Sequence, residues 1–324
     1  MAEVENRAGR ILVTGARGFV GNALCAALRR DLVPCIAAVR RTEDESGNTA
    51  EIAVGDIGPD TDWRAALQDV ACVVHLAART HVLRDRNPDP LAEYRRINVA
   101  ATETLARRAA ATGVRRFIFL SSVKVNGEST TSRPFSERDE PHPEDAYGIS
   151  KREAEDALRA IGNKTGMEIV ILRPPLVYGP GVKGNFLQLL KAVAKGVPLP
   201  LASIDNRRSL VYVGNLVDAI IACIREPAAA GRTFLVSDGE DLSTPEMIRK
   251  LAAAMGRSPR LLSCPPALLA LAARLFGRET AFRRLSGSLA VDISTLQQTL
   301  HWQPRYSTNQ GFSATVQWYY RDAK

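Results

Sequence analysis

A tyrosine and a lysine four residues apart, Tyr147 and Lys151, form the pair of side chains in this 324-residue chain that is best suited to proton transfer. Residues 151–160 are rich in Ala, Glu, Arg and Leu and predict a helix, on which positions i and i+4 share a face. An ammonium beside a phenol favours phenolate and lowers a pKa that is ordinarily about 10. The pair therefore predicts a proton donor and acceptor near neutral pH, although the same spacing occurs in many helices by chance.

A glycine-rich turn near the amino terminus predicts a nucleotide site. Residues 10–14 form a short β-branched run, three glycines follow, and residues 22–30 carry Ala and Leu at helical spacing. Strand, glycine turn and helix in this order form a dinucleotide fingerprint, in which the helix N-terminus faces the pyrophosphate. The alternative is a plain glycine turn. The residues predicted to bind the cofactor here are Gly15, Arg17, Gly18, Phe19, Val20 and Gly21.

The residue that ends the second predicted strand, 35–39, bears on the choice of cofactor. An acid about 20 residues after the glycine turn holds the ribose hydroxyls of NAD, whereas an arginine suits the 2′-phosphate of NADP. Arg40 stands at this position, so we favour NADP(H) over NAD(H). Two alternatives stay open: Arg40 is an ordinary charge at a strand end, or Glu43 or Asp44 reaches the ribose.

Strands alternate with helices through the first half of the chain. Further strands are predicted at 51–54, 71–76, 116–120 and 168–172, and helices at 61–69, 90–112 and 147–160. This rhythm predicts an α/β fold, a Rossmann doubly wound parallel sheet, which binds ligands at the carboxyl ends of its strands.

Prolines and glycines become frequent around residue 175, and the pattern of elements changes there. Strands are predicted at 209–213 and 233–236, and helices at 186–195, 215–226, 243–255 and 265–276. We predict a dinucleotide-binding Rossmann domain over 1–175 and a smaller C-terminal substrate-binding lobe over 176–324. Segments near 209–240 are expected to return to the Rossmann sheet.

Composition excludes several classes of protein. The net charge is +8, but the basic residues are scattered and no Lys/Arg block interleaves with aromatic residues, so an anionic small molecule explains the charge better than nucleic acid. Five dispersed cysteines without a CxxC pair indicate free thiols in a reducing compartment. The four histidines are equally dispersed, so no metal site is predicted.

The amino terminus lacks the apolar core of a signal peptide, and no apolar run approaches the ~20 residues of a membrane span. A cytoplasmic protein without membrane insertion is therefore expected. The apolar run 265–276 predicts a packed surface helix, because it is short and contains Arg274. The alternative is a helix that lies in a membrane interface, since several arginines follow it.

Taken together and in order, the motifs resemble the extended short-chain dehydrogenases/reductases, a family of nucleotide-sugar epimerases, dehydratases and reductases. The resemblance covers nearly the whole chain. It rests on the glycine turn, Gly55 and Asp56, residues 75–78, Asn98, Ser121 and Ser122, the Tyr147–Lys151 pair, and residues 173–180 and 208–213.

The resemblance implies an enzyme that binds NADP or NAD and acts on a UDP-sugar. Tyr147 would be the acid/base at a sugar oxygen, Lys151 would lower its pKa and hold the nicotinamide ribose, and Ser122 would hydrogen-bond the same oxygen. Further implied cofactor contacts are Asp56, Ile57, Leu76, Ala77, Ala78, Asn98 and Pro174. Implied substrate contacts are Thr80, Ser122, Val123, Lys124, Asn185 and Arg208, the last of which would pair with the diphosphate.

Departures from the family's pattern narrow the reaction. Dehydratases carry an Asp-Glu pair directly after the catalytic hydroxyl residue, and this chain has Val123 and Lys124, so 4,6-dehydration is not expected. Galactose-type 4-epimerases have an Asn near position 176 and an Asp at the end of the cofactor strand. This chain has Leu176 and Arg40, which weakens the epimerase interpretation.

The motifs around Ser122 and His75 look most like bacterial enzymes that reduce UDP-4-keto-6-deoxy-N-acetylhexosamines for O-antigen or capsule polysaccharide. The leading hypothesis is therefore such a 4-ketoreductase. One alternative is a UDP-hexose 4-epimerase acting on UDP-glucose or UDP-N-acetylglucosamine, and another is a non-catalytic protein that senses the cofactor. The family also implies a homodimer formed through the helices at 90–112 and 147–160.

Overall fold

The computed structural model describes residues 9–42, 50–80, 89–277 and 279–322. The strands are β1 (Arg10–Thr14), β2 (Cys35–Val39), β3 (Ala50–Ala53), β4 (Val70–His75), β5 (Arg116–Leu120), β6 (Glu168–Arg173), β7 (Leu176–Tyr178), β8 (Arg208–Tyr212), β9 (Thr233–Leu235) and β10 (Asp241–Leu242). The helices are α1 (Phe19–Arg30), α2 (Pro90–Tyr94), α3 (Ala101–Ala111), α4 (Ala146–Thr165), α5 (Gly184–Ala194), α6 (Val213–Arg225), α7 (Thr244–Ala254), α8 (Pro266–Leu275), α9 (Glu279–Ser286), α10 (Ser294–Leu300) and α11 (Thr308–Asp322).

Seven parallel strands form the main sheet in the order β3-β2-β1-β4-β5-β6-β9. The predicted doubly wound parallel sheet is confirmed. The strand order reverses between β1 and β4, and such a switch point is where these folds bind ligands. A second sheet joins β7, β8 and β10. The division into domains at residue 175 stays a prediction, and β9 pairs with β6 in the main sheet.

Both faces of the main sheet are buried, which explains why its strands read as continuous apolar runs. Successive residues of β1 show this, because Leu12 and Val13 belong to opposite core layers. One layer includes α1 and α6, and the other includes α3 and α4. A third apolar cluster, around Tyr178 and Phe312, forms the core of the C-terminal lobe.

Several elements differ from the sequence predictions. The helix predicted at 61–69 is wrong: the segment forms turns, with the Trp63 side chain buried and Asp69 in a left-handed conformation (φ 53°). The predicted helix 90–112 is divided by a π-helical segment, Arg95–Ala100, between α2 and α3. The sequence analysis did not predict strands β7 and β10, which have only three and two residues, too few to show an alternating pattern. It also did not predict helices α9, α10 and α11.

The glycine turn brings the ends of β1 and β4 into close contact. Gly15 has φ +65°, and a Cβ built there would lie 2.8 Å from the Ala77 nitrogen. A Cβ on Gly21 would lie 2.1 Å from the Gly15 carbonyl oxygen, a distance no real atom pair adopts. Helix α1 can therefore approach the turn only because Gly21 lacks a side chain.

We expect Gly21→Ala to lower the free energy of unfolding by more than about 2 kcal/mol, because the added methyl group meets backbone that cannot move cheaply. The matched control is Gly58→Ala, whose Cβ would lie 3.3 Å from the flexible end of Arg96 and should change stability by less than about 0.5 kcal/mol. Urea unfolding followed by circular dichroism measures both. Equal effects of the two substitutions would show that the close approach is not a constraint.

Candidate active site

The amino end of α4 positions the predicted tyrosine and lysine. Asp145 caps this helix, because its Oδ1 accepts a hydrogen bond from the Gly148 nitrogen at 2.7 Å. Tyr147 therefore lies in the first turn and Lys151 one turn later. The Lys151 ammonium donates to the carbonyl of Leu120, at the end of β5, at 2.8 Å, and lies 5.9 Å from the centre of the Tyr147 ring. Helix α4 and strand β5 are thus joined directly at the site.

Ser122 completes the predicted catalytic trio. It follows β5 and caps a 3-10 turn, Val123–Val125, by accepting a hydrogen bond from the Lys124 nitrogen at 3.3 Å. Its hydroxyl also shares a hydrogen bond with the Tyr147 phenol. The structure thus brings Ser122, Tyr147 and Lys151 together at the carboxyl end of the sheet, and their catalytic roles remain predictions.

Burial controls the protonation of this pair. It raises the pKa of Tyr147 above the ordinary value, and the nearby Asp145 raises that pKa further, while the hydrogen bond with Ser122 opposes both effects. The net effect in this structure is a raised pKa of Tyr147, and the expectation that Lys151 lowers it stays a prediction. Burial also lowers the pKa of Lys151 to about 7, against the opposing charge of Glu155. The lysine, rather than the tyrosine, titrates near neutral pH.

Lys124 is bound by two carboxylates. Its ammonium lies 2.5 Å from Glu128 Oε1 and 2.5 Å from Asp145 Oδ2, which fastens the turn after β5 to the start of α4. The Lys124 side chain thus has a structural role, because it links the turn after β5 to α4. The substrate contact predicted for Lys124 stays a prediction. The sequence showed no acid beside Ser122, yet folding brings both carboxylates to Lys124, two residues after that serine.

Val123 was predicted to contact substrate, but its side chain points into the core. It is 3% exposed and packs with the apolar residues on the α1 side of the sheet. Its backbone nitrogen donates to the carbonyl of Pro174, a predicted cofactor contact that is itself buried, at 3.0 Å. The Val123 side chain thus supports the turn from beneath, and the substrate contact predicted for this residue stays a prediction.

A buried ion pair that sequence reasoning missed lies below the trio. The Glu155 carboxylate accepts hydrogen bonds from Arg173 Nε at 2.9 Å and Nη2 at 2.6 Å, and from the Ser121 hydroxyl at 2.6 Å. Arg173 Nη1 donates to Asn126 Oδ1 at 3.0 Å. These contacts lower the pKa of Glu155 although burial opposes them. The only sequence signal was a glutamate one turn after Lys151.

Asn98 and Tyr94 connect the α2–α3 segment to the site. The Asn98 side-chain amide accepts from the Arg79 nitrogen at 2.8 Å, and it donates to the Arg79 carbonyl at 3.0 Å and to Ser150 Oγ at 2.9 Å. Asn98 thus fixes the chain after β4 against α4, and the cofactor contact predicted for it stays a prediction. Tyr94, which the sequence did not single out, lies edge-on to Tyr147 with 6.2 Å between ring centres.

The predicted cofactor residues line one edge of the sheet. Helix α1 begins after Gly18 with no side-chain cap and no acid in its first turn, so its N–H groups suit a phosphate. The nitrogens of Leu76 and Ala77 contact Thr14 Oγ1 at 3.2 and 3.3 Å, which closes the turn onto β4. The other predicted residues at this edge that are partly buried are Phe19, Val20, Ile57 and Ala78.

The charged residues at this edge are paired with each other. Arg40 Nε lies 2.8 Å from Asp56 Oδ1, and both side chains are more than 80% exposed. Arg17 Nη2 lies 2.8 Å from Glu51. The alternative ribose ligands Glu43 and Asp44 lie outside the described residues. The Arg40–Asp56 pair places an arginine and a carboxylate together where the adenosine ribose is predicted, so the geometry alone does not select NADP.

The predicted substrate residues are less closely grouped. Arg208 is largely buried and its Nη1 donates to the Gly287 carbonyl at 2.8 Å. Burial lowers the pKa of Arg208, and the negative charge of Glu128 opposes this effect. Thr80 is exposed and its carbonyl accepts from the Tyr94 hydroxyl at 3.1 Å, and Asn185 is exposed at the start of α5.

Among the described residues there is no group of three His, Cys, Asp or Glu side chains that could hold a metal ion. Within the same residues, none of the helices has the length and apolar character that crossing a bilayer requires.

Comparison with known proteins identifies the family. A profile of the NAD dependent epimerase/dehydratase family matches residues 11–237. The chain belongs to this family. A UDP-glucose 4-epimerase of Vibrio cholerae is 47% identical over 311 residues, which cover 95% of this chain and 94% of that protein. The solved structure of MoeE5 in complex with UDP-glucuronic acid and NAD has a TM-score of 0.78 and 26% identity, and covers 97% of this chain and 99% of the other.

One further relative has a substrate of a different kind in its name. The N-acetyl-alpha-D-glucosaminyl-diphospho-ditrans,octacis-undecaprenol 4-epimerase of Escherichia coli O157:H7 is 28% identical over 332 residues, covering 97% of this chain and 96% of that protein.

Membership of this family confirms the predictions of an extended short-chain dehydrogenase/reductase and of an NAD(P)-dependent enzyme. The site fits NAD on its own geometry, because a side chain on Gly15 or Gly21 would fill the turn and the N-terminus of α1 is uncapped. Gly18 and the paired Arg40 and Asp56 would hold the adenosine half. The preference for NADP(H) stays a prediction.

We expect Glu155→Gln to lower the free energy of unfolding by about 3–5 kcal/mol, because Arg173 is 2% exposed and would lose its counter-charge. The matched control on the same helix is Glu153→Gln, which weakens a partly exposed pair with Arg95 and should cost less than about 1 kcal/mol. Denaturant titration measures both. A small loss at position 155 would mean that the buried pair does not hold the site together.

The buried Lys151 predicts a pH dependence of stability. Its pKa falls from 10.5 in the unfolded chain to about 7 on folding, so between these values the unfolded state binds the extra proton and stability rises with pH. Relative to Lys151→Met, the wild type should gain up to about 1.4 kcal/mol per pH unit between pH 7 and 10. The exposed Lys164→Met on the same helix should show no such difference. Parallel curves for wild type and Lys151→Met would contradict the shift.

Proposed function

We propose that this chain is an NAD-dependent 4-epimerase of a UDP-hexose. The observation that carries the proposal is the 47% identity to a UDP-glucose 4-epimerase over nearly the whole of both chains. The hydrogen-bonded Ser122 and Tyr147, with Lys151 one turn away, form the proton-transfer group that such a reaction requires. The 4-ketoreductase hypothesis uses the same trio, but it rests on local motifs and has no comparable support along the chain.

The protein's part in the reaction is to move a proton at the sugar C4 oxygen. Tyr147 takes the proton of the C4 hydroxyl as the sugar is oxidised and returns it when the hydroxyl forms again on the other face. Ser122, which already bonds the phenol, orients that oxygen. When bound, NAD would supply the hydride acceptor and donor, and a positive charge close to Tyr147 would favour its phenolate form.

The surrounding charges suit a diphosphate and do not suit elimination. Arg208 offers a guanidinium held by the Gly287 carbonyl, which supports a role for it at the diphosphate of the nucleotide. Glu128 and Asp145 both bind Lys124, so neither carboxylate is available to expel water from the sugar. This favours epimerisation over dehydration. The homodimer of the family stays a prediction.

The test is interconversion of UDP-glucose and UDP-galactose, and of their N-acetyl counterparts, by the purified protein without added reductant. We expect product with no net change in NADH, and NAD released on denaturing the protein. Tyr147→Phe should lower turnover by at least about a hundredfold, whereas Tyr94→Phe, which loses only a hydroxyl on the Thr80 carbonyl, should lower it by less than about tenfold.

Other outcomes separate the rival hypotheses. Stoichiometric consumption of added NAD(P)H with a UDP-4-keto-6-deoxy-N-acetylhexosamine, without interconversion of hexoses, would replace the epimerase by the ketoreductase. Binding of NAD with no turnover of any diphosphate-linked sugar, and no effect of Tyr147→Phe, would favour the sensor.

A second candidate is 4-epimerisation of a sugar carried on a polyprenyl diphosphate, the substrate named for the Escherichia coli relative. The observation that favours it is that Arg208 bonds the carbonyl of Gly287, the residue that follows α9, and that α9 in turn follows the exposed apolar helix α8. Parallel assays with UDP-N-acetylglucosamine and N-acetylglucosaminyl-diphospho-polyprenol decide between the two carriers.

A further inference from the structure

Helix α8 presents an apolar stripe to solvent. Leu268, Leu271 and Leu275 recur at helical spacing and are 58%, 55% and 75% exposed, and Phe276 after them is 79% exposed. None of the ten residues of α8, all of which the structure describes, is buried. The helix lies on the surface, as the sequence predicted, and this side of it is open to solvent. Contiguous exposed apolar residues of this size mark an interaction surface.

The helix is nevertheless anchored to the protein. Leu269 on its inner side and Phe282 of α9 pack against the apolar core of the C-terminal lobe. Leu262, before the helix, is 53% exposed and pairs through its backbone nitrogen with the carbonyl of Leu199 at 2.9 Å. The α8–α9 hairpin (described residues 266–277 and 279–286) is thus held in place with its leucine stripe directed outward.

Positive charge accompanies the stripe. Arg274 lies on α8 beside the leucines, and Arg283 and Arg284 lie on α9, and all three are exposed. The sequence from 261 to 288 contains four arginines and a single acid, Glu279. Leucine and phenylalanine on one side with arginines at the edge is the composition of helices that lie in a bilayer interface. Arginines of this kind are complementary to anionic lipid headgroups.

We propose that the α8–α9 hairpin docks the protein on an anionic phospholipid bilayer. The stripe would enter the interface while the three arginines contact the headgroups. Ten residues of helix span about 15 Å, half the thickness of the hydrocarbon core, so the helix lies on the surface and does not cross it. The inference rests on this exposed surface and is independent of which sugar the site converts.

The hairpin is also connected to the candidate active site, because the chain that follows α9 contacts Arg208. The Gly287 carbonyl, immediately after α9, accepts the hydrogen bond from Arg208, and the Leu285 carbonyl accepts from Asn206 and from Thr244. The surface that meets the bilayer is therefore fastened to the Arg208 side of the lobe.

The test is co-sedimentation of the full-length protein with vesicles of phosphatidylethanolamine and phosphatidylglycerol, against vesicles of phosphatidylcholine alone. We expect binding to the anionic vesicles that falls with rising salt. The double variant Leu268→Glu/Leu271→Glu should bind at least about tenfold more weakly, because it places charge in the stripe. The control Leu32→Glu changes a leucine that is 89% exposed elsewhere and should bind as the wild type does.

A second pair of variants tests the contribution of the arginines to binding of anionic vesicles. Arg283→Glu/Arg284→Glu should weaken binding to anionic vesicles by at least about tenfold, since each arginine near such a surface contributes roughly fivefold. Arg29→Glu/Arg30→Glu, exposed at the end of α1, makes the same change in net charge and should have little effect. All four variants should keep the wild-type turnover of a water-soluble substrate, which shows that they fold.

Three results would overturn the proposal. The first is failure of the wild type to sediment with anionic vesicles. The second is equal binding by Leu268→Glu/Leu271→Glu and Leu32→Glu. The third is a wild-type oligomer in sedimentation velocity that Leu268→Glu/Leu271→Glu dissociates without any effect on vesicle binding, which would assign the stripe to a second copy of the chain.

Discussion

One buried carboxylate, Glu155, determines how the elements of the site meet. It lies on α4 and receives hydrogen bonds from Ser121 after β5, from Arg173 at the end of β6, and from Arg159 one turn later on α4. A buried charge is tolerated only when its hydrogen-bonding capacity is satisfied, and here four donors satisfy it. Small shifts of β5, β6 or α4 would leave that charge uncompensated. The register of the three elements, and with it the position of Tyr147, follows from this requirement.

The same burial shapes the chemistry above the ion pair. Excluding water raises the pKa of Tyr147 and lowers the pKa of Lys151, so both groups are displaced toward their neutral forms. A cation placed beside the Tyr147 phenol would lower the pKa of that phenol strongly, because little water is present to screen the charge. The lysine holds the Leu120 carbonyl and thus positions α4, in addition to any contact with a cofactor ribose.

Much of the fold and the central trio could be predicted from the sequence, because their signals are local. A glycine turn between a strand and a helix, apolar runs of strand length, and a tyrosine four residues before a lysine are all read within a few positions. The contacts that were missed join distant segments. No local pattern around Lys124 predicts its ion pair with Asp145, 21 residues away. No local pattern around Tyr94 predicts that its ring packs against Tyr147. The helix predicted at 61–69 failed because burial of Trp63 and the left-handed Asp69 outweighed local propensity.

The choice between epimerase and reductase shows where reasoning from motifs ends. Both reactions move a proton at one sugar oxygen and a hydride at the attached carbon, so both need the same serine, tyrosine and lysine. Leu176 was read as a departure from epimerases, but it lies 36% exposed at the start of β7, paired with Leu210 of the short sheet. The residue at position 176 is therefore a weak reason to exclude epimerisation, because strand pairing in the short sheet determines its place. An epimerase differs from a reductase because its keto sugar rotates within the site before the hydride returns to the opposite face. That freedom depends on the shape of the whole lobe, which is why similarity along the entire chain is more informative here than the residues around Ser122.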